Sequence, residues 1–243
     1  NNGICTLQFE EQREITKILL ELTNQIRDHT NEILTDVNIL AELDFIYAKA
    51  KYSIALLGSE PNIVEKGRLR LIDARHPLLV RIHKAEHVVP LTLEIGDNTN
   101  TLLITGPNAG GKSVAMKTVG LLTILAQAGC HIPTSSLSHI RIFSDIFVDM
   151  GDEQSIENDL SSFSSHLQNL KTITEAVTDS SLVLIDEIAS GTDPIEGASI
   201  AAAVLEHLSR VDCVTIATTH HGALKAFAFE TPRFENGAMD FNQ

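Results

Sequence analysis

At 243 residues, 43% hydrophobic and 21% charged, the chain is long enough to bury a sizeable core without disulfide or metal staples, and its composition is neither disordered nor collagenous. No apolar run approaches the roughly 20 residues that span a bilayer, and the start, Asn1-Asn2, lacks the cationic head and apolar stretch of a signal peptide. A net charge of −14 repels a phosphate backbone, so the chain alone is a poor electrostatic nucleic-acid clamp, and such binding needs residues outside it.

The charge is uneven: residues 1–100 carry 11 basic and 15 acidic side chains, net −4, and the remainder 7 and 17, net −10. Cys5, Cys130 and Cys213 are scattered without CxxC or His/Cys ligand spacing, which points to a reducing, cytoplasmic compartment and away from zinc. The absent initiating methionine suggests a fragment.

From Phe9 to Leu57 there is no Gly or Pro, and apolar residues recur three and four apart, as at Ile15, Ile18, Leu22, Ile26, Ile33, Val37, Leu40, Leu43 and Ile46. This predicts one or two long helices, ended by Gly58-Ser59-Glu60-Pro61-Asn62. Short apolar runs then alternate with helical stretches. Strands are predicted at 70–74, 88–95, 102–105, 140–148, 182–185 and 214–218, and helices at 114–128, 165–177 and 197–208. Alternation of this kind implies an α/β domain with a largely parallel sheet covered on both faces.

Gly106-Pro107-Asn108-Ala109-Gly110-Gly111-Lys112-Ser113 fits the phosphate-loop pattern GxxxxGK[ST], directly between a predicted strand and a predicted helix. Backbone N–H groups of such a loop and the helix N-terminus form a concave anion site. Lys112 is placed to neutralise the β and γ phosphates of a nucleotide and Ser113 to ligate Mg²⁺; Val114 completes the cofactor-binding set.

Leu182-Val183-Leu184-Ile185-Asp186-Glu187 is a fully apolar strand ending in two carboxylates. In open α/β sheets such strand ends face the crevice where phosphates lie. Asp186 can hold Mg²⁺ through water, and Glu187 can polarise the attacking water. Thr218-Thr219-His220 ends the next strand, where His220 could meet the γ phosphate, whereas His221 reads as a surface residue. Ser190-Gly191-Thr192-Asp193-Pro194 is either a loop at a subunit boundary or an ordinary strand-to-helix connection. Asp159-Leu160-Ser161-Ser162-Phe163-Ser164-Ser165 is either an N-cap cluster or a phosphate contact for another subunit.

Taken together and in order, Gly106 to Ser113, Ser161 to Phe163, Asp186-Glu187 and Thr218 to His220 resemble the ATPase domain of the MutS family of DNA repair proteins, which is related to the ABC ATPases. Ala74-Arg75-His76-Pro77-Leu78-Leu79, Gly151-Asp152-Glu153-Gln154-Ser155-Ile156, Phe163-Ser164-Ser165-His166 and Gly191-Thr192-Asp193-Pro194 look like its MutS-two branch. The resemblance implies a P-loop NTPase of ABC type over residues 66–243, preceded by a helical lever segment over residues 1–65. It further implies ATP and Mg²⁺ as cofactors and a head-to-tail homodimer sandwiching two nucleotides. Ser161 would approach the γ phosphate bound by the other subunit, with Asn108 contacting that phosphate in cis. Glu187 would be the general base, Asp186 and Ser113 the metal-side groups, and His220 the switch histidine. His87 occupies the position where relatives stack an aromatic on adenine.

The resemblance implies DNA, branched or mismatched, as partner through regions outside this chain, no membrane partner and no nuclease activity in the segment. The alternative it leaves is the ATPase of a ribosome-rescue factor. A membrane-transporter ATPase would need a Leu-Ser-Gly-Gly-Gln signature where this chain reads Ser161-Ser162-Phe163. A non-catalytic scaffold would not need the set Lys112, Ser113, Asp186 and Glu187.

Overall fold

The computed structural model describes residues 2–106, 110–150, 159–190 and 192–239, and of residues 2 and 159–162 the backbone alone. It divides into two compact units, Asn1–Lys51 and Tyr52–Gln243.

The predicted helical stretch forms two helices, α1 (Asn2–Arg27) and α2 (Thr30–Ala55), of 26 residues each, about 39 Å apiece at 1.5 Å per residue. The break at Asp28-His29 contains no Gly or Pro. It is made by local hydrogen bonding: the Thr30 hydroxyl donates to the Arg27 carbonyl at 2.7 Å, and His29 Nδ1 lies 2.7 Å from Glu32 Oε2. Such local bonds compete with the helical ladder. The apolar stripe that predicts these helices is exposed throughout, with Ile18, Leu22 and Leu43 at 48%, 49% and 57%. Past α2, Leu57 adopts φ 51° and Gly58 N donates to the Ser53 carbonyl at 2.9 Å. Glycine is required at 58 by close approach, because a Cβ there would lie 2.9 Å from the carbonyl of His131.

The second unit opens with β1 (Asn62–Val64), β2 (Leu69–Ala74), α3 (Pro77–Ile82), a 3-10 turn (Ala85–His87) and β3 (Leu91–Ile95). It continues with β4 (Thr101–Thr105), α4 (Lys112–Gln127), β5 (His139–Arg141) and β6 (Asp145–Asp149). The remaining elements are α5 (Asp159–Ala176), β7 (Ser181–Ile185), α6 (Pro194–Val211), β8 (Val214–Thr219), α7 (Gly222–Glu230) and β9 (Phe234–Ala238). Strands β1-β5-β2-β3 form a mixed sheet, and β6-β7-β8-β4-β9 form a sheet in which every pairing is parallel. The expected α/β architecture with a parallel-rich sheet flanked by helices is present.

Side-chain alternation along the parallel strands feeds two cores. Leu102 and Ile104 of β4, Leu182 and Leu184 of β7 and Ile216 of β8 face α4 residues Met116, Val119 and Leu122. The opposite-facing Leu103, Val183, Ile185 and Ala217 pack with Leu170 and Ile173 of α5 and with Ala201, Leu205 and Leu208 of α6. Burial on both faces favours apolar residues at successive positions, which is why Leu182 to Ile185 of β7 read as an unbroken apolar run.

Two expectations change. The strand expected over 88–95 begins only at Leu91: Val88 N is taken by the Ala85 carbonyl of the turn, and Pro90 has no N–H to give a ladder. The strand expected over 140–148 is two strands in different sheets. The break lies at Phe143, whose N–H donates to Gln127 Oε1 at 2.7 Å and whose carbonyl accepts from Gln127 Nε2 at 3.2 Å; one α4 side chain thus replaces both ladder bonds.

Candidate functional site

The parallel order β7-β8-β4 brings three strand ends together. Register pairs Thr105 with Thr219 and Ile185 with Ala217, so Gly106, Asp186-Glu187 and His220 leave the sheet side by side. This is the edge where α/β folds carry ligands.

On the β4 side, Gly106 has φ 138° and Gly111 φ 82°, in the positive-φ region that favours glycine. Between them, Pro107, Asn108 and Ala109 lie outside the described residues. Lys112, the first residue of α4, is 2% exposed, and its Nζ donates to the Gly106 carbonyl at 2.7 Å. An ammonium at that depth is costly unless satisfied, and this bond folds it back over the loop. No side chain caps α4 at Gly111, and the start of a helix is where the macrodipole favours an anion. Ser113 is half-buried beside Lys112, and Val114 is 42% exposed. Met239, which follows β9, donates its N–H to the Thr105 carbonyl at 3.1 Å and backs Gly106 so closely that a Cβ there would lie 3.1 Å from its carbonyl oxygen.

On the β7 side, Asp186 and Glu187 are half-buried. The Thr218 hydroxyl donates to Asp186 Oδ1 at 2.5 Å and accepts from Glu187 N at 2.8 Å, while the Thr218 carbonyl accepts from Ile188 N at 3.0 Å. Glu187 is held at φ 50° and Ala189 at φ 58°. Left-handed backbone at non-glycine residues costs on the order of 1–3 kcal/mol and persists where neighbours impose it. Here Thr218 grips the main chain on both sides of Glu187. One carboxylate therefore has a fixed partner while the other stands on a constrained turn, a division of labour suited to a metal-side acid and a base.

His220, just past β8, is exposed, and its ring centroid lies 4.2 Å from that of His221. His221, expected at the surface, is instead partly buried: its N–H donates to Thr219 Oγ1 at 3.1 Å and its Nε2 is buried without a hydrogen-bond partner. Burial, and secondarily the neighbouring His220, lowers its pKa, against a main-chain contact to Ala189 that raises it. His221 lines an open groove of about 410 Å³ together with Ile195, Ala198, Leu224 and Phe227.

The remaining candidates lie on other elements. His87 is exposed at the end of the turn 85–87, on the approach to the mixed sheet. Ser161 lies in the first turn of α5, its side chain outside the described residues. In the loop after Asp186-Glu187, Asp193 caps α6, with Oδ1 accepting from Ile195 N and Glu196 N at 2.9 and 3.3 Å.

Sequence reasoning missed Thr218 as a partner of the acids, and it missed Asp149. Asp149 ends β6 at 3% exposure and is bonded to His166 and Asn169 of α5. An acid at the end of β6 and directly after β7 was the available signal. Among the described residues no group of three or more His, Cys, Asp or Glu side chains is disposed as a ready metal cage, and no helix is long and apolar enough to cross a membrane.

Comparison with known proteins places the chain in a family. Residues 102–243, from β4 onward, match the family MutS domain V. Over 242 residues, all of this chain and 30% of the relative, it is 48% identical to a protein named Endonuclease MutS2 from Caldanaerobacter subterraneus subsp. tengcongensis. The same span is 46% and 44% identical to proteins of that name from Finegoldia magna and Alkaliphilus metalliredigens. The chain therefore spans about three-tenths of the length of these curated relatives. With its helices, both sheets and every strand end of the site inside the matched span, the chain belongs to the MutS family, in the branch of the MutS2 proteins.

Proposed function

We propose that the chain is the ATP-hydrolysing part of a MutS2-type DNA repair protein, with residues 66–243 as a P-loop ATPase domain of ABC type and residues 1–65 as a helical lever. The observation that carries this reading is the meeting of a buried Lys112 at an uncapped helix start with the paired acids Asp186 and Glu187 two strands away. Cation, helix N-terminus and carboxylates on one edge suit a triphosphate and a hard divalent cation better than any neutral ligand.

In this reading Gly106 to Ser113 cradle the phosphates of ATP, with Asn108 and Val114 in the set, and Lys112 exchanges its bond to the Gly106 carbonyl for phosphate oxygens. Ser113 and Asp186 would hold Mg²⁺, which when bound neutralises charge developing on the phosphates. Glu187 accepts a proton from the attacking water, its backbone fixed by Thr218. His220 senses the γ phosphate from the end of β8. Ser161 reaches the nucleotide of a second copy in a head-to-tail homodimer, and His87 contributes to adenine stacking. Nucleotide-driven closure of that dimer would then act, through the helical segment, on DNA held by regions outside this chain. The relatives are named for endonuclease activity, which we assign to no residue here; that name gives the ribosome-rescue alternative no support.

Glu187→Gln keeps shape while removing the base. It is expected to retain ATP binding and lose turnover by at least about 100-fold, the scale of a lost general base. Steady-state phosphate release alongside nucleotide titration measures both, and an unchanged rate would overturn the assignment.

A further inference from the structure

Asp149 is too deep for an unpaired carboxylate, and both of its side-chain partners come from one helix. Its Oδ2 lies 2.9 Å from His166 Nδ1, and its Oδ1 accepts from Asn169 Nδ2 at 3.1 Å. Those residues stand three apart on α5 and so share a face. The main-chain carbonyl of Asp149 meanwhile accepts from Asp186 N at 2.8 Å, which extends the β6–β7 ladder one step past the Asp149–Ile185 pair. From Asp186 the bonds continue to Thr218 and on to Glu187 N. An unbroken path therefore runs from α5 through Asp149 to both acids of the site.

Docking of α5 does not need this path. Leu170 and Ile173, at 3% and 5% exposure, already seat the helix in the apolar core. A buried carboxylate adds directionality, because its acceptors must meet His166 and Asn169 in one helix register. We propose that Asp149 and His166 are positioning residues that lock the register of α5 to the acidic end of β7. The inference rests on the ATPase reading, in which Ser161 on α5 serves the partner copy's nucleotide while Asp186 and Glu187 serve this copy's own. The link then ties the two nucleotides of the dimer: a shift of α5 at one site moves the acids working at the other.

The test uses the full chain with His166→Ala, Asp149→Asn and His166→Asn, the last placing an amide nitrogen where Nδ1 stands. His166→Ala and Asp149→Asn are expected to lower turnover about tenfold, on the scale of misplaced catalytic groups, with ATP affinity within about twofold of the parent because the phosphate loop is untouched. His166→Asn is expected to restore most of the rate. Hydrogen exchange supplies a readout independent of activity: His166→Ala should accelerate exchange in segment 185–188 as well as in α5. Acceleration confined to α5, or turnover and affinity lost in parallel, would overturn the link. A parent chain without ATPase activity would instead sink the functional reading, leaving exchange at 185–188 to decide the link alone.

Discussion

The helical unit and the sheet unit carry comparable apolar sequence and put it to opposite uses. In β7 and β8 every residue is buried, from Ser181 to Ile185 and from Val214 to Thr219. In α1 and α2, Leu, Ile and Phe side chains recurring at helical spacing are exposed, as with Leu22 at 49% and Leu43 at 57%. The contrast separates two kinds of information. Periodicity states which face of an element is apolar, whereas burial depends on what that face meets.

The largest expected effect breaks the sheet side of that contrast. Leu184→Ala removes a side chain 1% exposed between β7 and α4 and is expected to cost about 2–5 kcal/mol, the range for a buried leucine whose site cannot fully collapse. Denaturant titration checks it, and a cost below about 1 kcal/mol would mean that α4 relaxes into the gap.

A smaller effect tests a polar group in the sheet unit. His76, with Nδ1 buried and unpartnered, has its pKa lowered from 6.5 first by burial and second by the charge of Lys117. A folded-state pKa below the unfolded value means that the unfolded chain binds the proton more readily. Stability is therefore full above about pH 6.5 and falls as pH drops through the folded pKa. His76→Gln should flatten that part of the stability profile, as read by melting temperature between pH 7 and 5. An unchanged slope would place the titration elsewhere.

The smallest effect sharpens the helical side. Leu22→Ser on α1 should change stability by no more than about 0.5 kcal/mol, as for an exposed site. A loss comparable to that of Leu184→Ala would show that the stripe is covered in solution.

Much of the sheet unit is legible in the sequence because its signals are local. β4 and β7 carry continuous apolar runs, Leu102 to Ile104 and Leu182 to Ile185, β8 mixes β-branched and small residues, and the loop before α4 announces itself through glycines at fixed spacing. Short elements are less legible: α3, α7, β1 and β9 are each nine residues or fewer, too brief for a period to show. The polar partnerships are least legible. Thr218 meets Asp186 across 32 positions and His166 meets Asp149 across 17, and only the strand order brings them together. The burial of one ring nitrogen of His221 is unreadable for a related reason, since side-chain direction at a strand end depends on how the chain turns, which composition does not encode.

The bonds of Gln127 to Phe143 bear on how a signal could leave the site. Helix α4 begins at Lys112 in the loop and ends at Gln127, about 24 Å away at 1.5 Å per residue, where it clasps the crossing point between the two sheets. It is a stiff rod anchored at its tips. The candidate site at its start and the passage of the chain from the mixed sheet to the parallel one at its end are thereby joined by one continuous element.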